Sequence, residues 1–260
     1  MTLVRVLGCG DAFSSGGRLF PSFHVESKSA TFLMDCGPTA VLAMKRMSLD
    51  PDRLDAVLIS HFHGDHIGGL PFLEIELGIM RGRKRPLIVG GPPGVSTRIR
   101  QVTDALYPSL KPKQRIEMNF VEWVESEPLH LGEITVRSAR VRHTPETEPH
   151  ALRIEVDGCI IAYSGDTEWT DALLPLADGA DLFICEASTF ALPVENHLSF
   201  TTLMAHREKL RCRRLLVTHM SDDMLRMLPV EGAEAAYDGL VLDLDEARAE
   251  GGASSAASQL

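Results

Sequence analysis

The chain has 260 residues, of which 44% are hydrophobic and 24% are charged, and its formal net charge is -10 at pH 7. This length can bury a substantial core, whereas the acidic balance argues against a surface that coats nucleic acid, which needs clustered Lys and Arg. No run approaches the roughly 20 apolar residues that span a bilayer, and the N-terminus lacks a signal-peptide pattern. We therefore predict a cytoplasmic protein that does not associate with membranes.

The five cysteines are odd in number, far apart and free of any Cys-x-x-Cys pair. This pattern predicts buried thiols rather than a disulfide framework or a structural zinc clip. The one dense basic run, Arg81 to Arg85, is interpreted as a solvated loop rather than an RNA contact.

Strands and helices are predicted to alternate along the chain, beginning with a strand from Leu3 to Leu7 and a flexible loop without the phosphate-loop pattern. The further strands are predicted at Phe23 to Glu26, Ala30 to Met34, Asp55 to Ile59, Leu87 to Gly90, Asn119 to Glu125, Ile134 to Val141, Ala151 to Val156, Cys159 to Tyr163, Asp181 to Cys185 and Leu215 to Thr218. Helices are predicted at Thr39 to Met47, Ile67 to Met80, Val95 to Tyr107 and Phe200 to Leu210. With no repeat and no clear linker, we predict one α/β domain over residues 1–246 and a disordered tail over residues 247–260.

The stretch Ser60-His61-Phe62-His63-Gly64-Asp65-His66 places three imidazoles and a carboxylate directly after a strand-like apolar run. His61 and His63 stand two apart, so in an extended segment both rings leave the backbone on one side and can converge on one ion. Gly64 permits a sharp turn, after which Asp65 and His66 can meet a second ion from the start of a helix. One loop is therefore predicted to serve two metal ions.

The pattern His61-x-His63-x-Asp65-His66 is similar to the signature of the metallo-β-lactamase superfamily. This resemblance implies a four-layer αββα sandwich with a zinc site at its edge, and it implies three further ligands in a fixed order. The chain has a histidine after the strand to Val141, an aspartate in a Ser-Gly-Asp-Thr turn and a histidine closing a late strand: His143, Asp166 and His219. The resemblance extends from Leu3 to Leu244.

The resemblance also implies how the ligands divide between two ions. One ion would take His61, His63 and His143, the other Asp65, His66 and His219, and Asp166 would bridge them. We expect two zinc ions, although manganese or iron could occupy the same nitrogen and oxygen ligands. Such a pair shares a water whose pKa falls toward about 7, which gives a bridging hydroxide as nucleophile. Asp65 would orient this hydroxide and can accept its proton, while Asp35 is interpreted as a supporting or capping carboxylate rather than a ligand.

The segment Cys185-Glu186-Ala187-Ser188, followed by His197, resembles the ribonuclease Z branch of the superfamily. In that branch a similar motif supports a further histidine that contacts the phosphate. The resemblance therefore implies phosphodiester hydrolysis, with Glu186 and His197 as a catalytic pair that holds no metal. The alternative interpretation is an ordinary strand-end carboxylate and a loop histidine.

Two departures from that branch disfavour tRNA processing. The segment after His219 lacks the expected Arg-Tyr, and too few positions separate His143 from Asp166 to hold the long arm that grips tRNA. We expect a small phosphodiester or short nucleic-acid substrate and no stable nucleic-acid complex, and we leave a homodimer open. A thioester, lactone or β-lactam hydrolase is the alternative enzyme hypothesis, and a dormant metal-binding protein is the weaker one because all seven ligands are intact.

Overall fold

A computed structural model describes residues 1–125 and 127–245, which form two mixed β-sheets that face each other. The first sheet has the strand order β14-β1-β2-β3-β4-β5-β6. Its strands are β1 (Leu3–Gly8), β2 (Ser22–Glu26), β3 (Thr31–Met34), β4 (Ala56–Leu58), β5 (Leu87–Gly91), β6 (Met118–Glu122) and β14 (Val241–Asp243).

The second sheet has the strand order β13-β12-β11-β10-β9-β8-β7. Its strands are β7 (Leu129–Leu131), β8 (Ile134–Arg140), β9 (His150–Val156), β10 (Cys159–Tyr163), β11 (Leu182–Glu186), β12 (Arg214–Thr218) and β13 (Glu234–Ala235). The α-helices in the described residues are α1 (Ala40–Arg46), α2 (Gly64–Ile67), α3 (Leu70–Ile75), α4 (Val95–Leu106), α5 (Leu173–Ala177), α6 (Phe200–Ala205) and α7 (Asp222–Leu225).

The hydrophobic core has three parts, because most central strands are apolar on both faces and each face needs a cover. Between the sheets, Phe23 and Phe32 of the first sheet belong to the same cluster as Ile154 and Ile161 of the second. The outer face of the first sheet is covered by side chains of α1, α3 and α4, and that of the second by side chains of α5 and α6. The predicted four-layer αββα sandwich is therefore confirmed.

The strand directions bring the candidate ligands to one edge of this sandwich. Strands β10, β11 and β12 are parallel, and β8 runs in the same direction because it is antiparallel to β9, which is antiparallel to β10. Parallel strands end at the same edge of a sheet, and ligand sites form beyond such carboxyl ends. The segments with His143, Asp166 and His219 follow β8, β10 and β12 respectively, so they meet at this edge.

The helix predicted from Ile67 to Met80 is not continuous. The chain forms α2, turns at Gly68 and Gly69, continues as α3 and ends in a π-helix from Glu76 to Arg81. A Cβ atom at Gly69 would lie 2.1 Å from the carbonyl oxygen of Gly37, so the loop before α1 presses directly against this turn. The local sequence also favours this break, because Gly68 and Gly69 are flexible and Pro71, in the first turn of α3, has no amide proton to bond to the preceding turn.

The interpretation of Arg81 to Arg85 as a solvated loop is wrong for Arg83. Its side chain is fully buried and donates hydrogen bonds to the carbonyl oxygens of Asp52 and Leu54, both at 2.7 Å, and of Pro86 at 3.0 Å. Arg85 forms an ion pair with Asp55 at 2.5 Å. These arginines tie the π-helix to the segment that enters β4 and so have a structural role.

In the part of the chain that is described, no helix combines the length and the apolar composition that crossing a membrane requires. The segment 247–260, predicted to be a disordered tail, lies outside the described residues.

Candidate metal centre

The His-x-His-x-Asp-His stretch leaves β4 extended and turns into α2 at its fourth position. His63 has extended backbone angles (φ -68°, ψ 151°), and α2 begins at the next residue, Gly64. His61 and His63 therefore project from extended chain, whereas Asp65 and His66 project from the first helical turn. This geometry is the one that the spacing predicted, because the turn separates the four side chains into two pairs.

The first group of side chains consists of His61, His63 and His143, together with Asp166. One donor atom from each of the four residues lies within 4.8 Å of the others. His143 Nε2 is 3.0 Å from His63 Nδ1, and it is 3.9 Å from Asp166 Oδ2. Three imidazoles with a carboxylate at this spacing are a donor set that suits zinc.

The second group consists of Asp65, His66 and His219, again together with Asp166, and its donor atoms meet the same 4.8 Å limit. Asp65 Oδ2 lies 3.2 Å from His66 Nε2 and 3.4 Å from His219 Nε2. His219 has a left-handed backbone (φ 56°), and its amide donates to the carbonyl oxygen of Cys9 at 3.1 Å. The first loop of the chain thus holds this histidine in place.

Asp166 lies between the two groups and contacts both of them. Its Oδ2 is 3.7 Å from His61 Nε2 and 3.3 Å from His219 Nε2, while its Oδ1 is 3.4 Å from His66 Nε2. Gly165 permits this approach, because it has φ 56° and a Cβ atom there would lie 2.9 Å from the Cβ of Ser60. The structure brings together all seven side chains proposed as ligands; their binding of metal stays a prediction.

A buried carboxylate, Asp35, orients one histidine of each group. Its Oδ2 accepts hydrogen bonds from His66 Nδ1 at 2.6 Å and from the hydroxyl of Ser60 at 2.8 Å. The Ser60 hydroxyl, having donated its proton to Asp35, accepts one from His61 Nδ1 at 3.0 Å. With both Nδ1 atoms protonated, the Nε2 lone pairs of His61 and His66 remain available to a cation. Asp35 thus supports the ligand groups, as the sequence indicated.

Both of these lone pairs are buried without a conventional partner. In the described residues, neither His61 Nε2 nor His66 Nε2 has a hydrogen-bond partner. Buried polar atoms in native proteins nearly always have a partner, whereas these two nitrogens face only the carboxylates of Asp65 and Asp166, so their position needs an explanation. A cation held by these histidines and Asp166 would supply it, and the donor set therefore fits a metal.

The charges around Asp166 favour the same conclusion. Burial lowers the pKa of His61 well below its usual range. Burial acts in the same direction on His66 and His219, but nearby carboxylates, first that of Asp166, outweigh it and raise both pKa values well above the usual range. Burial raises the pKa of Asp166, yet the charges of these histidines outweigh it and hold that pKa well below its usual range. A site that attracts positive charge so strongly suits a divalent cation.

Glu186 and His197, the candidate catalytic pair, are in contact. His197 Nδ1 forms a short hydrogen bond with Glu186 Oε1, and the same oxygen is 3.4 Å from His219 Nδ1. Burial lowers the pKa of His197, but the carboxylate of Glu186 outweighs it and raises the pKa above the usual range. Asp166, Glu186, His197 and His219 also have donor atoms within 4.8 Å of one another, so a ligand role for His197 is the competing interpretation.

Three contributions were not identified from the sequence. Tyr163 donates its hydroxyl proton to Asp35 Oδ2 at 2.7 Å. Glu168 Oε1 accepts from the amide of Asn196 at 2.8 Å, and the carbonyl oxygen of Asn196 accepts from His143 Nδ1 at 2.7 Å. Only the position of Glu168 close to the Ser-Gly-Asp-Thr turn could have drawn attention to it.

The fold and the donor set together define the class of metal-dependent hydrolases with a metallo-β-lactamase fold. Among solved structures, the short form of human tRNase Z superimposes with a TM-score of 0.75 at 21% identity, covering 93% of this chain and 99% of that one. This likeness supports the fold alone.

The chain belongs to the family described as anti-Pycsar protein Apyc1, which matches residues 1–237. An uncharacterized protein of Mycobacterium tuberculosis is 31% identical over 248 residues, which cover 92% of this chain and 88% of the relative. A ribonuclease Z of Parabacteroides distasonis is 27% identical over an alignment that covers 92% of this chain and 95% of the relative.

Proposed function

We propose that residues 1–246 form one hydrolase domain, a phosphodiesterase that uses two divalent ions, with zinc as the first candidate. The observation that carries this proposal is the Glu186–His197 pair beside the two donor groups. A histidine whose protonated form is favoured by a carboxylate, next to a cation site, suits an anionic substrate, because it can contact the oxygens of a phosphate. The similarity to proteins named ribonuclease Z supports the same substrate class.

We assign the ions to the two donor groups described above. His61, His63 and His143 would hold one ion, Asp65, His66 and His219 the other, and Asp166 both. When bound, the ions would supply an activated water at neutral pH and would neutralise charge on the phosphate. Asp35 prepares two of the histidines for this role by fixing the protons on their Nδ1 atoms.

The roles of the chain's own acid and base follow from their positions. Asp65 projects from the first turn of α2 toward His66 and His219, where it can orient the attacking water and accept its proton. His197 can donate the proton on its Nε2 to the leaving oxygen, and Glu186 favours the charged ring that this step requires. His63 and His197 are half-buried, whereas the other six proposed ligands are buried, so substrate would enter on the side of these two histidines.

A small substrate is favoured by the segment between His143 and Asp166. It consists of one short 3-10 turn, Pro145–Thr147, followed by the β9–β10 hairpin, and it provides no arm that could grip tRNA. The net charge of -10 also opposes extended contact with a phosphate backbone.

A panel of substrates tests the proposal and its alternative together. Zinc-loaded and manganese-loaded protein would be assayed side by side with bis-nitrophenyl phosphate, a cyclic nucleotide, a thioester, a lactone and a cephalosporin. We expect turnover of the phosphodiesters and its loss in Asp166→Asn, which serves as the control for a contaminating enzyme. Turnover confined to the thioester, lactone or cephalosporin would contradict the phosphodiesterase assignment, and no turnover of any substrate would favour the dormant protein.

A further inference from the structure

The backbone of Asn196 connects a proposed ligand histidine to the loop that carries His197. Its carbonyl oxygen accepts the proton of His143 Nδ1 at 2.7 Å, which leaves His143 Nε2 directed toward His63 and Asp166. The next residue in the chain is His197, whose Nδ1 is bonded to Glu186. A displacement of this short segment would therefore disturb both histidines at once.

Asn196 is held in an unusual backbone conformation by a side chain from a different loop. Its φ of 65° lies in the left-handed region, which Asn tolerates better than most residues but which still needs support. Its amide donates to Glu168 Oε1 at 2.8 Å, a charge-assisted hydrogen bond.

Glu168 is itself firmly attached close to His143. Its amide donates to the carbonyl oxygen of Arg142 at 2.7 Å, and its own carbonyl oxygen accepts from the hydroxyl of Thr167 at 2.6 Å. The carboxylate of Glu168 accepts the Asn196 amide through Oε1, which joins these two loops. Glu168 thus spans the gap between the segment of His143 and the segment of His197.

We propose that Glu168 is a positioning residue: by holding the Asn196 amide, it fixes the segment that orients His143 and carries His197. Glu168 does not belong to any of the groups of donor atoms among the described residues. The effect of Glu168 on turnover rests on the proposed phosphodiesterase function, whereas its effect on the position of the Asn196 segment does not.

Three variants of the zinc-loaded 260-residue chain test this role. Glu168→Ala removes the acceptor, Glu168→Gln keeps an acceptor oxygen in place, and Glu195→Ala removes an exposed carboxylate of the same loop as a matched control. Hydrogen exchange of the Asn196 amide, measured by NMR, reports the bond directly. The kcat and KM with bis-nitrophenyl phosphate report its effect on the reaction.

In Glu168→Ala we expect the Asn196 amide to exchange about tenfold faster and kcat to fall about 10–100-fold, with KM changed much less. Glu168→Gln and Glu195→Ala should resemble the unsubstituted chain in both measurements. Unchanged amide exchange in Glu168→Ala would overturn the proposal, as would a Gln variant as impaired as the Ala variant.

Two further outcomes are decided in the same experiment. If phosphodiesterase turnover is absent from every form, faster exchange in Glu168→Ala alone still supports the positioning role, and the failure belongs to the proposed function. If Glu168→Ala does not fold, Glu168→Asp takes its place, because the shorter side chain cannot reach Asn196 from the same backbone position; retained amide protection in that variant would contradict the proposal.

Discussion

Tyr163 and Asp35, 128 positions apart in the sequence, are joined in the buried interior by a hydrogen bond of 2.7 Å. Burial, and next the charge of Asp35, raise the pKa of Tyr163 well above its usual range, so the phenol keeps its proton and donates it. The same carboxylate oxygen accepts from His66 and Ser60. Hydrogen bonds to Asp35 therefore connect Tyr163 of the second sheet with His66 directly and with His61 through Ser60.

Tyr163→Phe is expected to lower the free energy of unfolding by about 1.5–3 kcal/mol, the usual contribution of a hydrogen bond to a charged group. The reason is that Asp35 has no access to water and loses one of its donors. Urea unfolding at neutral pH measures the change. Tyr237→Phe is the control because Tyr237 is exposed, and equal stability of the two variants would refute the importance of this bond.

The position of Asp166 between the donor groups makes a prediction about metal content. Asp166→Ala should lower zinc occupancy in both groups, because its two oxygens face histidines of both. Asp65→Ala should lower occupancy in the second group only, since Asp65 belongs to that group alone. Metal analysis of both variants after zinc loading and removal of excess zinc makes the comparison; the same residual stoichiometry in both would contradict the bridging position.

His197→Ala should lower the phosphodiesterase kcat by about 10²–10⁴-fold, the range typical of general acid catalysis, while zinc content stays unchanged. Glu186→Gln should have a milder effect, because it weakens only the support of the imidazole. The control is His130→Ala, an exposed histidine on β7. Loss of zinc in His197→Ala would instead identify His197 as a ligand, and unchanged kcat would make it a bystander.

Buried His24, which lies outside the proposed metal centre, is expected to make the stability of the fold depend on pH. Burial, and next the charge of Arg5, lower the pKa of His24 to about 4. Between about pH 4 and pH 6.5 the unfolded chain therefore binds a proton at this histidine, whereas the folded chain does not. The contribution of neutral His24 to the free energy of unfolding is therefore complete above pH 6.5 and is lost as the pH falls toward about 4. It amounts to about 3 kcal/mol at most.

His24→Leu should reduce the loss of unfolding free energy between pH 7 and about pH 4, measured by urea unfolding at several pH values. His130→Leu, at an exposed position, is the control and should keep the full dependence. A pH dependence that is identical in His24→Leu and the unsubstituted chain would show that His24 is not responsible.

The proposed ligands were recognisable from the sequence because each of them follows a strand in a short local pattern. The spacing of His61 and His63, the turn at Gly64 and the Ser-Gly-Asp-Thr segment all depend on backbone geometry within a few residues. The parallel strands then bring these segments to one edge, as the fold resemblance implied.

The supporting residues could not be predicted in the same way. The bond from Asn196 to Glu168 joins residues 28 positions apart, and neither residue stands in a periodic or spaced pattern. The burial of Arg83 likewise depends on carbonyl groups of another segment, those of Asp52 and Leu54. Such contacts become apparent only when the packed chain is known.

Reactivation of the metal-free protein tests the central proposal, a two-ion phosphodiesterase, most directly. Protein stripped with a chelator would receive zinc in small increments, and hydrolysis of bis-nitrophenyl phosphate would be followed at each step. We predict that activity rises until two equivalents per chain are bound and then stays constant. Full activity at one equivalent, or no phosphodiesterase activity at any zinc content, would contradict the account.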